Sequence, residues 1–329
     1  MESGYCSGGM RYYPRMKRLL LVLVFLACAP GAQAQDYPNQ PIRFIVPSGA
    51  GGAADVFARM FAARLPEFIG QSAFVENVGG AGGIVGAERV ARAKPDGYTV
   101  LYGISPIATI IPALQKLPYT RDELRPIMIL TLAPYVWLAN TDLPVKNLPE
   151  LIAYAKANPS KVAYASTGNG SAAHLGGELL AQLAGISMLH VPFKNTGIPE
   201  LMGGQVQLKL EPPASAVPHA RSGKLRAIAV SSAKRMTALP DVAAVAETLP
   251  GYDVTGWQGL WVPGGTPPAV VEKLRGAFAK AMQIPEIRQR ITDVGAEPIG
   301  ATPAETQAAI DREHAMWVKL IRERNIKAE

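Results

Sequence analysis

The feature that most limits the possible folds is a unit that occurs twice: a short apolar strand, a glycine-containing loop and a helix. In the first half, the predicted strand Ile42–Val46 leads into Pro47–Asp55, which reads PSGAGGAAD. In the second half, Val162–Ala165 leads into Ser166–His174, which reads STGNGSAAH. Alternating strands and helices are typical of parallel sheets covered by helices on both faces. We therefore predict an α/β fold with two Rossmann-like lobes.

The apolar segments between the two halves predict two crossings from lobe to lobe, and hence a hinge. Ile127–Leu132 and Tyr135–Ala139 carry the chain outward, and Trp257–Val262 carries it back. We expect a ligand cleft between the lobes. The predicted division is lobe 1 from residues 35–134 and 260–329, and lobe 2 from residues 135–259.

Each glycine loop places backbone N–H groups directly before a helix. The first helical turn has N–H groups without intrahelical acceptors and carries about half a positive charge, so it favours an anion. We predict that the two loops face each other and hold a carboxylate from both sides. The alternative is that the glycines only allow a tight turn between strand and helix. The candidate binding residues are Ser48, Gly49, Ala50, Gly51, Gly52 and Asp55 in lobe 1, and Gly168, Asn169, Gly170, Ser171 and His174 in lobe 2.

Several candidate side chains have two interpretations. Asp55 either meets an amino or hydroxyl group of the ligand or stabilises the first turn of its helix. Ser105 precedes a proline, so it either caps a helix or contacts the ligand. His174 has a structural interpretation beside its candidate role in binding. Phe193 and Lys194 follow a predicted strand that points at the cleft, where a ring and a cation would line it.

The N-terminus predicts export to the periplasm. A basic segment, Arg15–Arg18, precedes the apolar run Leu19–Ala29, and Ala32–Ala34 supplies a small-x-small cleavage site. These are the features of a secretory signal peptide, which we predict over residues 1–34. The apolar run is shorter than the about 20 residues that a membrane-spanning helix needs. A lipid anchor on Cys28 is the alternative.

The charge and cysteine content exclude several classes of partner and chemistry. Both cysteines lie in the predicted signal peptide, so the mature chain would have no disulfide and no cysteine nucleophile. The net charge is +7, of which +3 comes from residues 1–34. Because the remaining charges are scattered, with no basic run, we do not expect nucleic acid as a partner.

An oxidoreductase is the enzyme alternative. Gly49–Ala54 and Gly168–Ala173 both fit the G-x-G-x-x-A pattern of dinucleotide-binding loops, and Glu76 ends the next predicted strand. Two such loops would require two cofactors, which an exported protein would not find. The sequence has no G-x-S-x-G motif, and its four histidines lack the spacing of metal ligands. We therefore expect no catalytic residue, no cofactor and no metal.

A series of short motifs along the chain resembles the Bug family of extracytoplasmic solute receptors, the binding components of tripartite tricarboxylate transporters. The resemblance extends over nearly the whole predicted mature chain. The motifs are Pro41–Pro47, Gly51–Asp55, Val75–Asn77, Gly79–Gly83, Pro95–Thr99, Tyr164–Ser166, Gly168–Gly170, His174–Leu175, His190–Lys194, Gly203–Val206, Gly223–Ala227 and Gly265–Pro267.

This resemblance implies a type II-like periplasmic-binding-protein fold, a flytrap that closes on its ligand. It further implies a small carboxylate as ligand, whether a di- or tricarboxylate, an acidic amino acid or an aromatic acid. Backbone groups of Ser48–Asp55 and Gly168–His174 would hold it. Glu211 stands where the family commonly has an aspartate, which places its carboxylate one methylene further out. The expected partner is a membrane permease and the expected state a monomer, while a sensor of the same fold is the alternative.

Overall fold

The computed structural model describes residues 37–327, together with positions 1 and 4. Apart from those two positions, the predicted signal peptide lies outside the described residues. Gln40–Glu329 group into one compact unit, which contains two β-sheets. None of the described helices has the length and apolar composition to cross a bilayer.

The first sheet combines parallel and antiparallel strands in the order β11-β4-β10-β3-β1-β2. β1 runs parallel to β2 and β3, so the carboxyl ends of these three strands lie at one edge. The long strands β4 and β10 pair with each other in antiparallel fashion. The bounds are β1 Ile42–Val46, β2 Ala73–Asn77, β3 Thr99–Ile104, β4 Leu124–Pro134, β10 Thr255–Pro263 and β11 Glu297–Pro298.

The second sheet has the order β7-β6-β8-β5-β9. β6 runs parallel to β7 and β8, whereas β5 runs antiparallel to β8 and β9. The carboxyl ends of β6 and β8 therefore meet at one edge of this sheet. The bounds are β5 Val136–Ala139, β6 Ala163–Ser166, β7 Leu189–Pro192, β8 Leu208–Glu211 and β9 Arg226–Val230. This two-sheet α/β architecture confirms the predicted fold class.

Helices follow most strands, and several begin at residues suited to that position. Thr302 accepts a hydrogen bond from the Glu305 amide and closes a capping box, which starts the last helix. The helices are α1 Ala53–Arg64, α2 Pro66–Ile69, α3 Ile84–Ala91, α4 Ser105–Ala108, α5 Ile111–Leu114, α6 Leu148–Ala157, α7 Ala172–Ala184, α8 Ile198–Met202, α9 Pro213–Arg221, α10 Val245–Thr248, α11 Pro268–Ala281, α12 Pro285–Asp293 and α13 Pro303–Glu323. Short 3-10 turns lie at Ala81–Gly83 and Arg121–Glu123.

The return from the second sheet to the first comes earlier than the sequence predicted. β10 already pairs with β4 at Thr255, opposite Pro134, so residues 255–259 belong to the first sheet and not to lobe 2. The last helix, α13, also spans the predicted division, because Trp317 packs in the same core cluster as Trp137 of β5. These contacts tie the C-terminal helix to the hydrophobic core of the second sheet.

A half-buried carboxylate joins α13 to the strand that returns from the second sheet. Glu313 accepts hydrogen bonds from Trp257 Nε1 at 2.7 Å, Trp317 Nε1 at 3.1 Å and Thr109 Oγ1 at 3.1 Å. Burial raises the pKa of Glu313, and the three donors oppose that shift. Trp257 is thus held among packed side chains, where its indole N–H is already used.

Candidate functional site

A cleft of about 800 Å³ opens between the loops that follow the parallel strands of the two sheets. In open α/β sheets, ligands bind beyond the carboxyl ends of the strands, and both sides of this cleft are built there. The first sheet contributes Ala81, Gly82, Pro106, Ile110, Ile111, Leu114 and Gln115. The second contributes Tyr135, Thr167, Asn169, Gly170, Ser171, Ala172, Ala173, Thr196, Lys209, Leu210, Glu211 and Pro212.

The N-terminus of α7 lies at this cleft. Ser171 is its N-cap: the hydroxyl accepts from the His174 amide at 3.2 Å and donates to the Gly168 carbonyl at 2.8 Å. The amides of Ala172 and Ala173, the first two helical positions, have no intrahelical acceptor, and both residues line the cleft. The end of this thirteen-residue helix therefore presents N–H donors and a partial positive charge to the cleft.

Two amides of the second glycine loop are already bound by the protein itself. The Gly168 N–H donates to Ser166 Oγ at 3.1 Å, and the Gly170 N–H donates to His174 Nδ1 at 3.0 Å. Gly168 has a φ of 125° and Gly170 a φ of 73°, which L side chains rarely adopt. These bonds fix the loop, and they do not involve the amides of Asn169, Ala172 and Ala173.

The first glycine loop is closed by Asp55. The Gly51 N–H donates to Asp55 Oδ2 at 2.9 Å, while Oδ1 accepts from Arg59 Nε and Asn77 Nδ2, both at 3.0 Å. The hydrogen bond from Arg59 is the main reason that the pKa of Asp55 falls to about 2. Of its two interpretations, the structure thus supports the structural one for Asp55. Both loops use the same arrangement, since each donates a glycine amide to the side chain four residues later.

The loop before α1 is not part of the described lining of this cleft, so its predicted contact with a ligand stays a prediction. None of Ser48, Gly49, Ala50, Gly51, Gly52 and Asp55 is among its described lining residues. On the side of the first sheet, the cleft wall comes from the loop after β2 and from α4 and α5. The loop after β2 lies beside the loop before α1, since Gly79 is close to the Ser48 backbone, and it continues to Ala81 and Gly82 at the cleft. The sequence analysis did name the glycine run Gly79–Gly83. The apolar residues Ile110, Ile111 and Leu114 beside it follow no sequence motif that predicts a binding site.

Three other candidates occupy positions outside the cleft. Ser105 is buried as the first residue of α4 and makes no side-chain cap bond; its carbonyl accepts from Thr109 Oγ1. The predicted cap is therefore wrong, whereas the predicted ligand contact of Ser105 stays a prediction. Phe193 packs with the apolar cluster beneath α8 and α9, and Lys194 is exposed. Neither lines the cleft, although nearby Thr196 does.

The cleft wall contains a buried ion pair, of which the sequence analysis predicted one residue as a binding candidate and missed the other. Glu211 was a candidate, but Lys209, which lies two residues earlier on β8, was not. Their Nζ and Oε2 atoms are 2.7 Å apart, and the residues are 2% and 6% exposed. Residues two apart on a strand share a face, so the spacing K-x-E in an otherwise apolar strand was a usable signal.

Two stacked histidines, His174 and His190, contact the second glycine loop. The rings of His174 and His190 are stacked with centroids 3.8 Å apart, and His190 Nε2 lies 2.6 Å from Ser166 Oγ. Burial lowers both pKa values, to about 4 for His190, and His174 also lowers that of His190. His174 therefore acts as an acceptor for the loop. Over the described chain, no cluster of three or more His, Cys, Asp or Glu is arranged to hold a metal.

Two α/β sheets with a cleft between them, and a helix N-terminus opening into it, define a periplasmic-type solute-binding protein. The sequence model of the "Tripartite tricarboxylate transporter family receptor" matches residues 57–326. The chain belongs to this family. Its members are solute-binding receptors that work with membrane components of a transporter.

Individual proteins agree with that assignment. The protein BugT of Bordetella pertussis is 35% identical over 322 residues, which cover 95% of this chain and 99% of the relative. The solved structure of the periplasmic binding protein BugD is 34% identical with a TM-score of 0.72, covering 89% of this chain and all of that one. A structure of R. palustris Rpa4515 with adipate is 30% identical with a TM-score of 0.75, covering 88% and 99%.

Proposed function

We propose that this protein is the periplasmic receptor that captures a small organic carboxylate and presents it to the membrane subunits of a tripartite tricarboxylate transporter. The observation that carries the proposal is the N-terminus of α7, whose amides at Ala172 and Ala173 open into the cleft. Charge-assisted hydrogen bonds to such amides contribute about 1.5–3 kcal/mol each, so a few of them support micromolar binding after ordering costs. The adipate bound to Rpa4515 is a carboxylate of the same chemical class.

The two walls of the cleft suggest an order of events. The second sheet supplies the polar groups, Asn169, Ser171 and Lys209 among them, so the carboxylate binds to this side first. The wall of the first sheet, with Ile110 and Leu114, is mostly apolar and then covers the ligand. A ligand that contacts both walls favours the closed population. The closed form is the one that the membrane subunits would recognise.

The two predicted glycine loops then have different roles. The loop before α7 binds, whereas the loop before α1 is held by Asp55 and supports the neighbouring loop that contains Ala81 and Gly82. The same bonds argue against the dinucleotide alternative, because the amides of Gly51, Gly168 and Gly170 that would face a pyrophosphate are taken by side chains. Export by a signal peptide over residues 1–34 is part of the proposal.

Isothermal titration calorimetry with a panel of organic acids tests the binding step. We expect at least one carboxylate to bind with a dissociation constant in the micromolar range or below, and to be recovered unchanged after incubation. The control is the matched amide of each acid, which lacks the negative charge. If amides bind as well as acids, or only cations bind, the proposal is wrong.

Periplasmic fractionation of cells that express the full chain tests the export step. We expect the periplasmic protein to be shorter than the full chain, with a new N-terminus at residue 35. A variant in which Ala34 is replaced, Ala34→Arg, blocks cleavage at a small-x-small site and serves as the control. Full-length protein confined to the cytoplasm would contradict this part of the proposal.

A further inference from the structure

A second cavity, of about 360 Å³, lies in the part of the protein built around the first sheet. Residues of β3, β4 and β10 surround it, together with residues of α4, α5 and α13. Helices α4 and α5 contribute to both cavities, but with different residues, and the two described linings have no residue in common. The second cavity is therefore separate from the cleft where the carboxylate is proposed to bind.

The inner wall of the second cavity is apolar. Leu101, Ile107, Trp261 and Ile310 line it, are each at most 4% exposed, and belong to one hydrophobic core cluster of the first sheet. Close-packed protein interiors have few voids larger than a water molecule, so an opening of this size within a core cluster is unusual. Small-molecule pockets have volumes of about 300–1,000 Å³, apolar walls and a few polar groups. The second cavity fits that description.

Tyr119 adds an unpaired hydroxyl group to this lining. The residue is 7% exposed, and its hydroxyl oxygen has no hydrogen-bond partner among the described residues. Burial raises the pKa of Tyr119 to about 12, and the charge of Glu88 adds to the shift, so the hydroxyl keeps its proton at neutral pH and can donate. Buried polar groups are nearly always hydrogen-bonded, and an unpaired one destabilises the folded state. A ligand with an acceptor oxygen would supply the missing partner.

Exposed polar residues mark the rim where the second cavity meets the solvent. Asp311 Oδ1 on α13 accepts hydrogen bonds from Arg121 at 2.6 Å and from Gln307 Nε2 at 3.0 Å. With Asp122, the described rim has one guanidinium group against two carboxylates, a formal charge of −1. Because its arginine is already paired, the rim does not attract an anion. Surface ion pairs are weak, so this one can open to admit a molecule.

We propose that the second cavity is a binding site for a small neutral molecule with an apolar body and one acceptor oxygen, such as an aromatic ketone or ester. Tyr119 donates a hydrogen bond to that oxygen, while Ile107 and Trp261 pack against the apolar body. The ligand is neutral because a charged group would leave water for an apolar wall without an unpaired opposite charge. The protein would therefore hold two chemically different ligands at separate sites.

An NMR titration of protein with isotopically labelled tryptophan tests the site, with acetophenone as the probe. Trp261 lines the second cavity, whereas Trp137 lies in the core cluster of the second sheet. We expect acetophenone to shift the indole N–H signal of Trp261 but not that of Trp137, with a dissociation constant of about 1 mM or tighter. The shift should persist when the cleft is saturated with the acid that binds most tightly. An unshifted Trp261 signal up to the solubility limit of acetophenone, or displacement of acetophenone by the acid, would overturn the proposal.

Two related probes test the chemistry of the ligand in the same titration, with the cleft saturated. Ethylbenzene has a similar shape without the oxygen, and benzoate has the ring and a carbonyl group but carries a negative charge. We expect ethylbenzene to bind at least about threefold more weakly than acetophenone, which corresponds to one lost hydrogen bond, and benzoate at least about tenfold more weakly. Benzoate binding as tight as that of acetophenone would contradict the neutral class, and equal binding of ethylbenzene would contradict the acceptor oxygen.

The variant Tyr119→Phe shows whether the hydroxyl group binds the ligand. It removes only the hydroxyl, so the affinity for acetophenone should fall at least about threefold while that for ethylbenzene changes by less than about twofold. Tyr154→Phe on α6 is the matched control, because it removes a tyrosine hydroxyl outside both described linings. Equal affinity of native protein and Tyr119→Phe for acetophenone would overturn the proposed hydrogen bond.

The variant Ala108→Leu tests whether the probes occupy this cavity. Ala108 belongs to the lining, so a larger side chain there takes up space in the cavity and should weaken the binding of both acetophenone and ethylbenzene by about tenfold or more. Ala315→Leu, at an exposed position of α13, is the control and should bind both probes as the native protein does. A folded Ala108→Leu protein with native affinity for acetophenone would place the probe elsewhere and overturn the proposal. Should Ala108→Leu fail to fold, Tyr119→Phe still decides, since it deletes a single oxygen atom.

Discussion

Protonation of His190 should weaken the folded state in mildly acidic solution. The ring stacks on His174, lies 2.6 Å from Ser166 Oγ, and has an environment that lowers its pKa from 6.5 to about 4. Burial is the main cause, and the neighbouring His174 adds to it. Because the folded state holds this base neutral, the unfolded chain binds a proton between pH 6.5 and pH 4 that the folded chain does not.

The size of the effect follows from the two pKa values. Each factor of ten in an ionisation constant is worth 1.36 kcal/mol, so the full difference would correspond to about 3.4 kcal/mol. His190 is only partly buried, and solvent screens part of this energy. We therefore expect the free energy of unfolding to fall by about 2 kcal/mol as the pH drops from 7 to 4, and this particular loss to level off below pH 4.

Urea denaturation of the native protein and of His190→Gln across this pH range provides the assay. The glutamine can still hydrogen-bond Ser166 but does not titrate, so the difference in stability between the two proteins should shrink by about 2 kcal/mol towards pH 4. Burial raises the pKa of Glu313, which titrates with the opposite sign but is common to both proteins and cancels. A pH-independent difference between native protein and His190→Gln would refute the reasoning.

Four further substitutions test the packing and the loops. In Gly177→Ala the new Cβ would lie 2.3 Å from the Tyr164 ring, so the free energy of unfolding should fall by about 1–3 kcal/mol. In the control Gly276→Ala, on α11, the new Cβ meets nothing within 4 Å, so the free energy of unfolding should rise by up to about 1 kcal/mol. Equal effects of the two substitutions in urea denaturation would contradict the close packing of Gly177 against Tyr164. Ser171→Ala should cost about 1 kcal/mol of stability and weaken carboxylate binding, and a calorimetric affinity equal to that of the native protein would count against the site. Asp55→Asn should lower the urea midpoint above pH 3.8, with the loss vanishing towards pH 2, yet leave carboxylate affinity unchanged; weakened binding would show that the first loop takes part.

Much of the architecture could be predicted from local patterns in the sequence. Apolar runs such as Phe44–Val46 and Tyr164–Ala165, each followed by glycines and a helix, indicated where β1 and β6 end and where α1 and α7 begin. The predicted return at residue 260 was late because β10 already pairs with β4 from Thr255 onward. Strand pairing of that kind depends on a partner more than 100 residues away.

The site was harder to predict because it depends on which backbone amides of the loops already donate hydrogen bonds to the protein's own side chains. The sequence placed glycines before both helices, but whether Asp55 and His174 turn back onto Gly51 and Gly170 is decided by side-chain geometry in the folded loop. Lys209 was missed because it lies inside an apolar strand. The spacing K-x-E places Lys209 and Glu211 on one face of β8, but only the folded structure shows that this face lines the cleft.

The position of a bound carboxylate in a crystal structure tests the central claim most directly. The protein would be crystallised with the acid that binds most tightly in the calorimetric panel. We predict that one carboxylate oxygen lies within hydrogen-bond distance of the Ala172 or Ala173 amide, between the two sheets. A carboxylate bound at another surface, or a ligand whose anionic group makes no contact with the first turn of α7, would contradict the account.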